Sequence, residues 1–170
     1  MEIEGESIMK IILLVDIQEG YMNDELRGLT RDIEKHVKNF DYDLVIATRY
    51  INKNDSLHRA DIYIKDMTVF SSKAKLVESI EKISDFVLMK STYSSLTEDV
   101  YKLLEKNEVK QVYLAGLNTE TSILATAFEL FDKGIKPIIL SNLCNTVNGK
   151  KVNEAALEIL KIAVGEDCIL

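Results

Sequence analysis

Short apolar runs alternate along the chain with stretches whose apolar residues recur every three or four positions. The runs cover 11–15, 44–47, 86–89, 112–115 and 137–140, with a weaker sixth at 168–170. Most are unbroken hydrophobic blocks, as expected of parallel strands covered on both faces. Helical patterns fill the gaps. Leu26, Leu29, Ile33, Val37 and Phe40 form one stripe, and Ala74, Val77, Ile80 and Ile83 another. Ser95-Leu-Thr-Glu98 reads as a capping box ahead of Val100, Leu103 and Leu104. Ile123, Ala127, Leu130 and Phe131 follow, stopped by Gly134. Val152, Ala155, Ile159 and Ala163 make the last stripe, stopped by Gly165.

This alternation predicts an α/β fold. Its plan is three-layer α/β/α, Rossmann-like, around a doubly wound, mainly parallel sheet of about six strands. A length of 170 residues suits one domain spanning 1–170. Residues 1–8 are acidic and read as a disordered lead, with Met9 as the effective start of the fold. Pro137 opens a strand, where its missing N–H costs little.

Composition narrows the function classes. With 46% hydrophobic and 29% charged residues, the chain is ordinary globular protein. A formal net charge of −7 with no basic patch speaks against nucleic acid and anionic membranes as partners. No apolar run approaches the roughly 20 residues that span a bilayer. No signal peptide is evident. Cys144 and Cys168 lack CxxC spacing and read as core thiols in a reducing compartment, so the expected location is cytoplasmic. His36, in a helix rich in Lys and Glu, is expected to face solvent, and His58 stands alone.

In wound parallel sheets, ligands bind beyond the carboxyl ends of the strands. The first strand is followed there by Asp16, Gln18 and Tyr21, the second by Arg49 and Tyr50, and the third by Lys90 and Tyr93. The fourth leads into Leu117, Asn118, Thr119 and Ser122, and the fifth into Ser141, Asn142 and Cys144. A carboxylate, an amine and a hydroxyl therefore converge on one sheet edge. Asp16 alone could be a helix cap and Lys90 a solvated strand end. Ser122 could simply cap its helix. Together, an Asp–Lys pair in a dry cleft holds both charges or sets up a proton donor or acceptor. A hydroxyl in the first helical turn sits where anions are favoured.

The segment Val112-Tyr-Leu-Ala-Gly116-Leu-Asn-Thr119-Glu-Thr-Ser122-Ile-Leu-Ala-Thr126-Ala127 resembles the signature of the isochorismatase-like cysteine hydrolases. That family includes isochorismatases, nicotinamidases and N-carbamoyl amidohydrolases. Asp16-Ile-Gln18-Glu-Gly-Tyr21 resembles its Asp-x-Gln motif, and Lys90-Ser-Thr-Tyr93-Ser94-Ser-Leu96 its Lys-x-x-Tyr-Ser-x-Phe motif. Thr48-Arg49 matches the Thr-Arg that opens the loop after strand two. The order agrees from Met9 onward. The resemblance implies a catalytic triad at Asp16, Lys90 and Ser122. It further implies a homo-oligomer, a dimer or tetramer, and a cis peptide before Asn118. Gln18, Tyr21, Arg49, Tyr93, Leu117 and Asn118 are the candidate substrate-binding residues.

Two departures shape the expectation. The family nucleophile is Cys, whereas this chain has Ser122, a poorer acid that needs a well-placed base. The nicotinamidase branch places Asp and His metal ligands shortly after Thr-Arg. Here the stretch is Tyr50-Ile-Asn52-Lys53, so neither metal nor cofactor is expected. The reading is a family hydrolase acting on a small molecule by acid-assisted or serine-based chemistry. Vinyl ethers like isochorismate and amides both stay open. The alternatives are a catalytically silent binder, or an amidohydrolase whose catalytic Cys has been replaced by Ser122.

Overall fold

The computed structural model describes residues 9–62 and 65–170, so the expected lead at 1–8 lies outside the described residues. Five parallel strands form one sheet in the order β3-β2-β1-β4-β5. They are β1 (Ile11–Val15), β2 (Leu44–Tyr50), β3 (Phe86–Lys90), β4 (Gln111–Leu117) and β5 (Lys136–Asn145). The order reverses between β1 and β4, which opens a crevice at their carboxyl ends. All five residues of β1 are fully buried, as befits the centre of a doubly wound sheet.

Helices cover both faces. On one side α1 (Asp24–Asn39) and α3 (Glu78–Ile83) pack Leu26, Ile33 and Ile80 against Ile12 and Leu14. On the other, α4 (Glu98–Lys106), α5 (Leu124–Asp132) and α6 (Lys150–Val164) pack Leu104, Ala127 and Leu160 against Leu13 and Leu114. A short α2 (Leu57–Ala60) lies in the loop after β2. Among the described residues no helix is long and apolar enough to cross a membrane.

Several expectations are corrected. The sheet has five strands rather than six, because Glu166–Cys168 is a 3-10 turn and Ile169 makes only an isolated bridge to Ile139. β5 runs on through Ser141, Asn142 and Cys144, which were placed after it. The stripe from Ala74 is not one helix. An antiparallel bridge between Leu76 and Gln18 holds the chain extended there, and helix begins only at Glu78. Thr97, not Ser95, caps α4, with its side chain accepting from the Val100 N–H. In α6 the buried face is Ala156, Leu160 and Val164, and Ile159 points outward. His36 stacks on Phe40 and bonds the Tyr42 hydroxyl at 2.8 Å rather than facing water freely. Both cysteines are free and buried.

Candidate active site

Two backbone features bring β1 and β4 together at the crevice. Asp16, the first residue beyond β1, has φ 51°, a left-handed conformation that Asp tolerates better than most residues. Gly116 has φ 127°, and a Cβ there would lie 2.3 Å from the Val15 carbonyl oxygen. Only glycine permits that approach. β4 therefore lies hard against the end of β1, immediately before Asp16. The Leu117–Asn118 peptide is cis. The chain then enters a π-helical turn, Thr119–Ile123, that runs into α5 and carries Ser122.

Asp16, Lys90 and Ser122 meet at one carboxylate oxygen. Lys90 Nζ lies 2.6 Å from Asp16 Oδ2, and Ser122 Oγ donates to the same oxygen at 2.8 Å. Lys90 Nζ is 3.4 Å from Ser122 Oγ and also donates to the carbonyls of Thr92 and Tyr93, at 2.9 and 2.8 Å. The three residues are 2%, 4% and 7% exposed. Burial pushes the Asp16 carboxyl above its ordinary value, against the opposing pull of Lys90 and three hydrogen-bond donors. Such a group is a stronger base than a solvated carboxylate.

A ring of hydrogen bonds fixes this corner. Thr48 Oγ1 donates to Asp16 Oδ1 at 3.1 Å and shares a hydrogen bond with Ser95 Oγ at 3.0 Å. The Ser95 N–H donates to Thr126 Oγ1 at 2.8 Å, and Thr126 Oγ1 donates to the Ser122 carbonyl at 2.6 Å. Ser122 closes the ring on Asp16. Thr48, Ser95 and Thr126 are fully buried. Their function is to hold the carboxylate and hydroxyl in register, since each loses freedom to a paired neighbour.

The corner opens on a cavity of about 340 Å³. Asp16, Tyr21, Tyr93, Asn118 and Ser122 line it. Three expected binding residues do not. Gln18 is buried and spends its amide on the Tyr50 backbone and the Ala74 carbonyl, tying β1 to β2. Leu117 belongs to the core. The Arg49 guanidinium reaches Met89 Sδ at 3.8 Å, beside the open edge of the sheet. Lys90 sits behind Asp16 and borders a neighbouring surface depression instead.

Residues after Thr48 do not fit a divalent metal. Asn52 Oδ1 accepts from Ser56 Oγ and the Tyr50 hydroxyl. Among the described residues, no three of His, Cys, Asp or Glu come together. Cys144 offers no alternative nucleophile, because burial pushes its thiol up to about 12.

The isochorismatase domain model matches residues 10–168. The chain belongs to the isochorismatase family. No curated protein matches it significantly. Among solved structures, an isochorismatase-like hydrolase from Alkaliphilus metalliredigens superposes with TM-score 0.80 at 15% identity, covering 92% of this chain and 93% of that one. A pyrazinamidase of Pyrococcus horikoshii, solved with zinc, gives 0.77 at 20% identity, covering 95% and 98%. A nicotinamidase from Bacillus subtilis gives 0.77 at 17%, covering 92% and 97%. At these identities the likeness is one of fold, and the isochorismatase-family fold is that of hydrolases.

Within this isochorismatase-family cavity, the chain places residues that the sequence reading passed over. His58, treated as isolated, lines the cavity with its ring 4.6 Å from Tyr93 and 5.2 Å from Tyr50. Burial, and then the Lys90 charge, hold it below its ordinary value, so it is neutral near pH 7. Glu120 lines it too. The signal for Glu120 was present within the quoted motif, two residues before Ser122. Nothing local marks His58, whose neighbours come from other loops.

Proposed function

We propose that this chain is a small-molecule hydrolase in which Asp16, Lys90 and Ser122 form a proton-relay triad with serine as nucleophile. The observation that carries the reading is the 2.8 Å donation from Ser122 Oγ to Asp16 Oδ2, on the oxygen that Lys90 also holds. A hydroxyl needs a base in hydrogen-bond contact, and Asp16 occupies that place.

In this mechanism Ser122 Oγ attacks a carbonyl carbon and its proton passes to Asp16. The negative charge moves to the carbonyl oxygen. Backbone N–H groups around Asn118 and Ser122, at the start of the helix, receive it. Collapse of the intermediate breaks the bond to the leaving amine or alcohol, which takes the proton from Asp16. Water then attacks the acyl-serine, gives its proton to Asp16, and Ser122 leaves with it. Lys90 stays charged and keeps the buried carboxylate solvated by protein groups.

The elevated Asp16 carboxyl also favours a second reading, in which Asp16 protonates an enol-ether carbon and water captures the resulting cation. The two readings predict opposite pH dependence. A base must be ionised, so serine-based hydrolysis rises as pH climbs through the raised Asp16 value. An acid must be protonated, so ether cleavage falls over the same interval. Purified protein would be screened against small esters, primary amides, N-carbamoyl amines and isochorismate, alongside Asp16→Asn and Ser122→Ala. Serine-based hydrolysis is expected to vanish in both variants. Activity that survives Ser122→Ala supports the acid mechanism, and ligand binding without any turnover supports a silent binder.

A further inference from the structure

The turn that carries Ser122 is tied down from outside. Asn118, Thr119 and Glu120 open it, and each bonds to residues between the end of β5 and the first turns of α6. Asn118 Oδ1 accepts from the Val147 N–H at 3.1 Å. Glu120 Oε1 accepts from Thr146 Oγ1 and Asn148 Nδ2, each at 2.7 Å. Thr119 is fully buried and donates from Oγ1 to the Asn153 side-chain oxygen, with the Asn145 carbonyl oxygen at 3.2 Å. Inside the turn, the Asn118 carbonyl is shared by the Thr121 and Ile123 N–H groups, both at 3.2 Å, the long end of the normal range. A wide turn with long internal bonds leaves much of its placement to external ties.

Asn153 breaks a pattern. The core face of α6 runs back through Val164, Leu160 and Ala156, and the next position on that stripe is 153. An apolar residue there would extend the stripe by one turn. The chain has a half-buried amide instead. An amide accepts at one atom and donates at the other, so it can bridge two neighbours. Its Nδ2 donates to the Cys144 carbonyl at 3.4 Å, which turns Oδ1 toward Thr119. A threonine hydroxyl has one proton to give, and Asn153 is the nearer of its two acceptors. Leu160 and Val164 seat α6 on the core, so a fixed helix reaches through one amide to the residue three before Ser122.

We propose that Asn153 is a positioning residue, which acts through Thr119 to set where Ser122 Oγ stands relative to Asp16. It does not line the cavity and touches no reacting atom. The bond from Ser122 Oγ to Asp16 Oδ2 is 2.8 Å, and a shift of the turn by about 1 Å breaks it. This rests on the reading of Ser122 as nucleophile.

The test is the rate of Ser122 acetylation by p-nitrophenyl acetate on the intact protein, read by peptide mass spectrometry over a range of ester concentrations. Asn153→Ala and Thr119→Val are each expected to lower the limiting rate about tenfold and to move the half-saturating ester concentration less than about twofold. Thr119→Ser keeps the hydroxyl and is expected to stay within about threefold of the unmodified rate. The double variant Asn153→Ala/Thr119→Val is expected to be about as slow as either single one, because both cut the same bond. Asn153 is only half-buried, so its variant carries the test even if Thr119→Val does not fold. A loss confined to the half-saturating concentration, or a double variant that multiplies the two losses, overturns the proposal. No acetyl group on Ser122 in the unmodified protein overturns the serine reading and this inference with it, whereas full-speed acetylation in Asn153→Ala overturns this inference alone.

Discussion

The cavity has two kinds of wall. Around the end of β1 each polar side-chain atom is answered. Asp16 accepts from Lys90, Ser122 and Thr48, and Lys90 donates to two carbonyls besides. On Glu120 and His58 a buried oxygen and a buried nitrogen are left without partners among the described residues. The first wall is complete without a ligand and is held by sheet, helix and a closed hydrogen-bond ring. The second leaves those two atoms closed off from solvent and unpaired among the described residues.

Breaking the completed wall should have the largest effect. Asp16→Asn leaves the buried Lys90 without its counter-charge and is expected to cost about 3–5 kcal/mol of stability in urea denaturation, with loss of activity. Lys90→Met should cost a similar amount by stranding Asp16. The double variant Asp16→Asn/Lys90→Met should regain most of the stability and none of the activity. If the single variants each cost less than about 1 kcal/mol, the pair behaves as solvated and the desolvated corner is wrong.

Ser122→Ala removes one hydrogen bond and the hydroxyl proposed as nucleophile. Stability should fall by only about 1 kcal/mol. Turnover should fall by about a thousandfold or more, read as kcat on whichever screened substrate is hydrolysed. A smaller step is Thr126→Val, which cuts the ring without touching the cavity. It is expected to cost about 1–2 kcal/mol and to lower kcat with little change in KM. A shift in KM alone would mean that the ring shapes binding rather than proton transfer.

The unanswered wall should behave in the opposite manner. Glu120→Gln and His58→Phe remove atoms that bond nothing, so stability is expected to move within about 0.5 kcal/mol in either direction. Thermal unfolding checks this. A loss as large as that of Asp16→Asn would place these residues in the structural network and erase the contrast.

The same contrast explains what the sequence disclosed. Asp16 follows β1, Lys90 ends β3 and Ser122 lies just beyond β4, and the fold rule for parallel sheets brings such strand-end positions together whatever the loops do. The ring residues were visible as parts of motifs, Thr48 beside Arg49 and Thr126 in the signature, but not as a ring, because they come from β2, the loop after β3 and the helical segment after β4. Glu120 and His58 were hidden for a related reason. The Glu120 carboxylate is held by the loop of Thr146 and Asn148, and the His58 ring lies against Tyr50 and Tyr93. Gln18 and Arg49 erred in the other direction. Both sit at strand ends, but one turns into backbone bonding and the other toward the β3 edge.

Helix faces followed their own logic. α6 carries two apolar stripes, one ending at Ala163 and one at Val164, and periodicity alone ranks them equally. The sheet selected Ala156, Leu160 and Val164, leaving Ile159 and Ile162 outside. Leu76 shows a different override, with a bridge to Gln18 pulling an apolar stripe out of helix. The central strands were easier to read, since Ile11–Val15 is apolar at each position and has no competing face to choose.

The central claim is that Asp16 draws the proton from Ser122 and so makes it a nucleophile. Incubation with p-nitrophenyl acetate, followed by peptide mass spectrometry, addresses it directly. An acetyl group is expected on Ser122 in the unmodified protein, accumulating faster as pH rises through the elevated Asp16 value, and none in Asp16→Asn. Equal acetylation in Asp16→Asn, or no label on Ser122 while the ester is still hydrolysed, would contradict it.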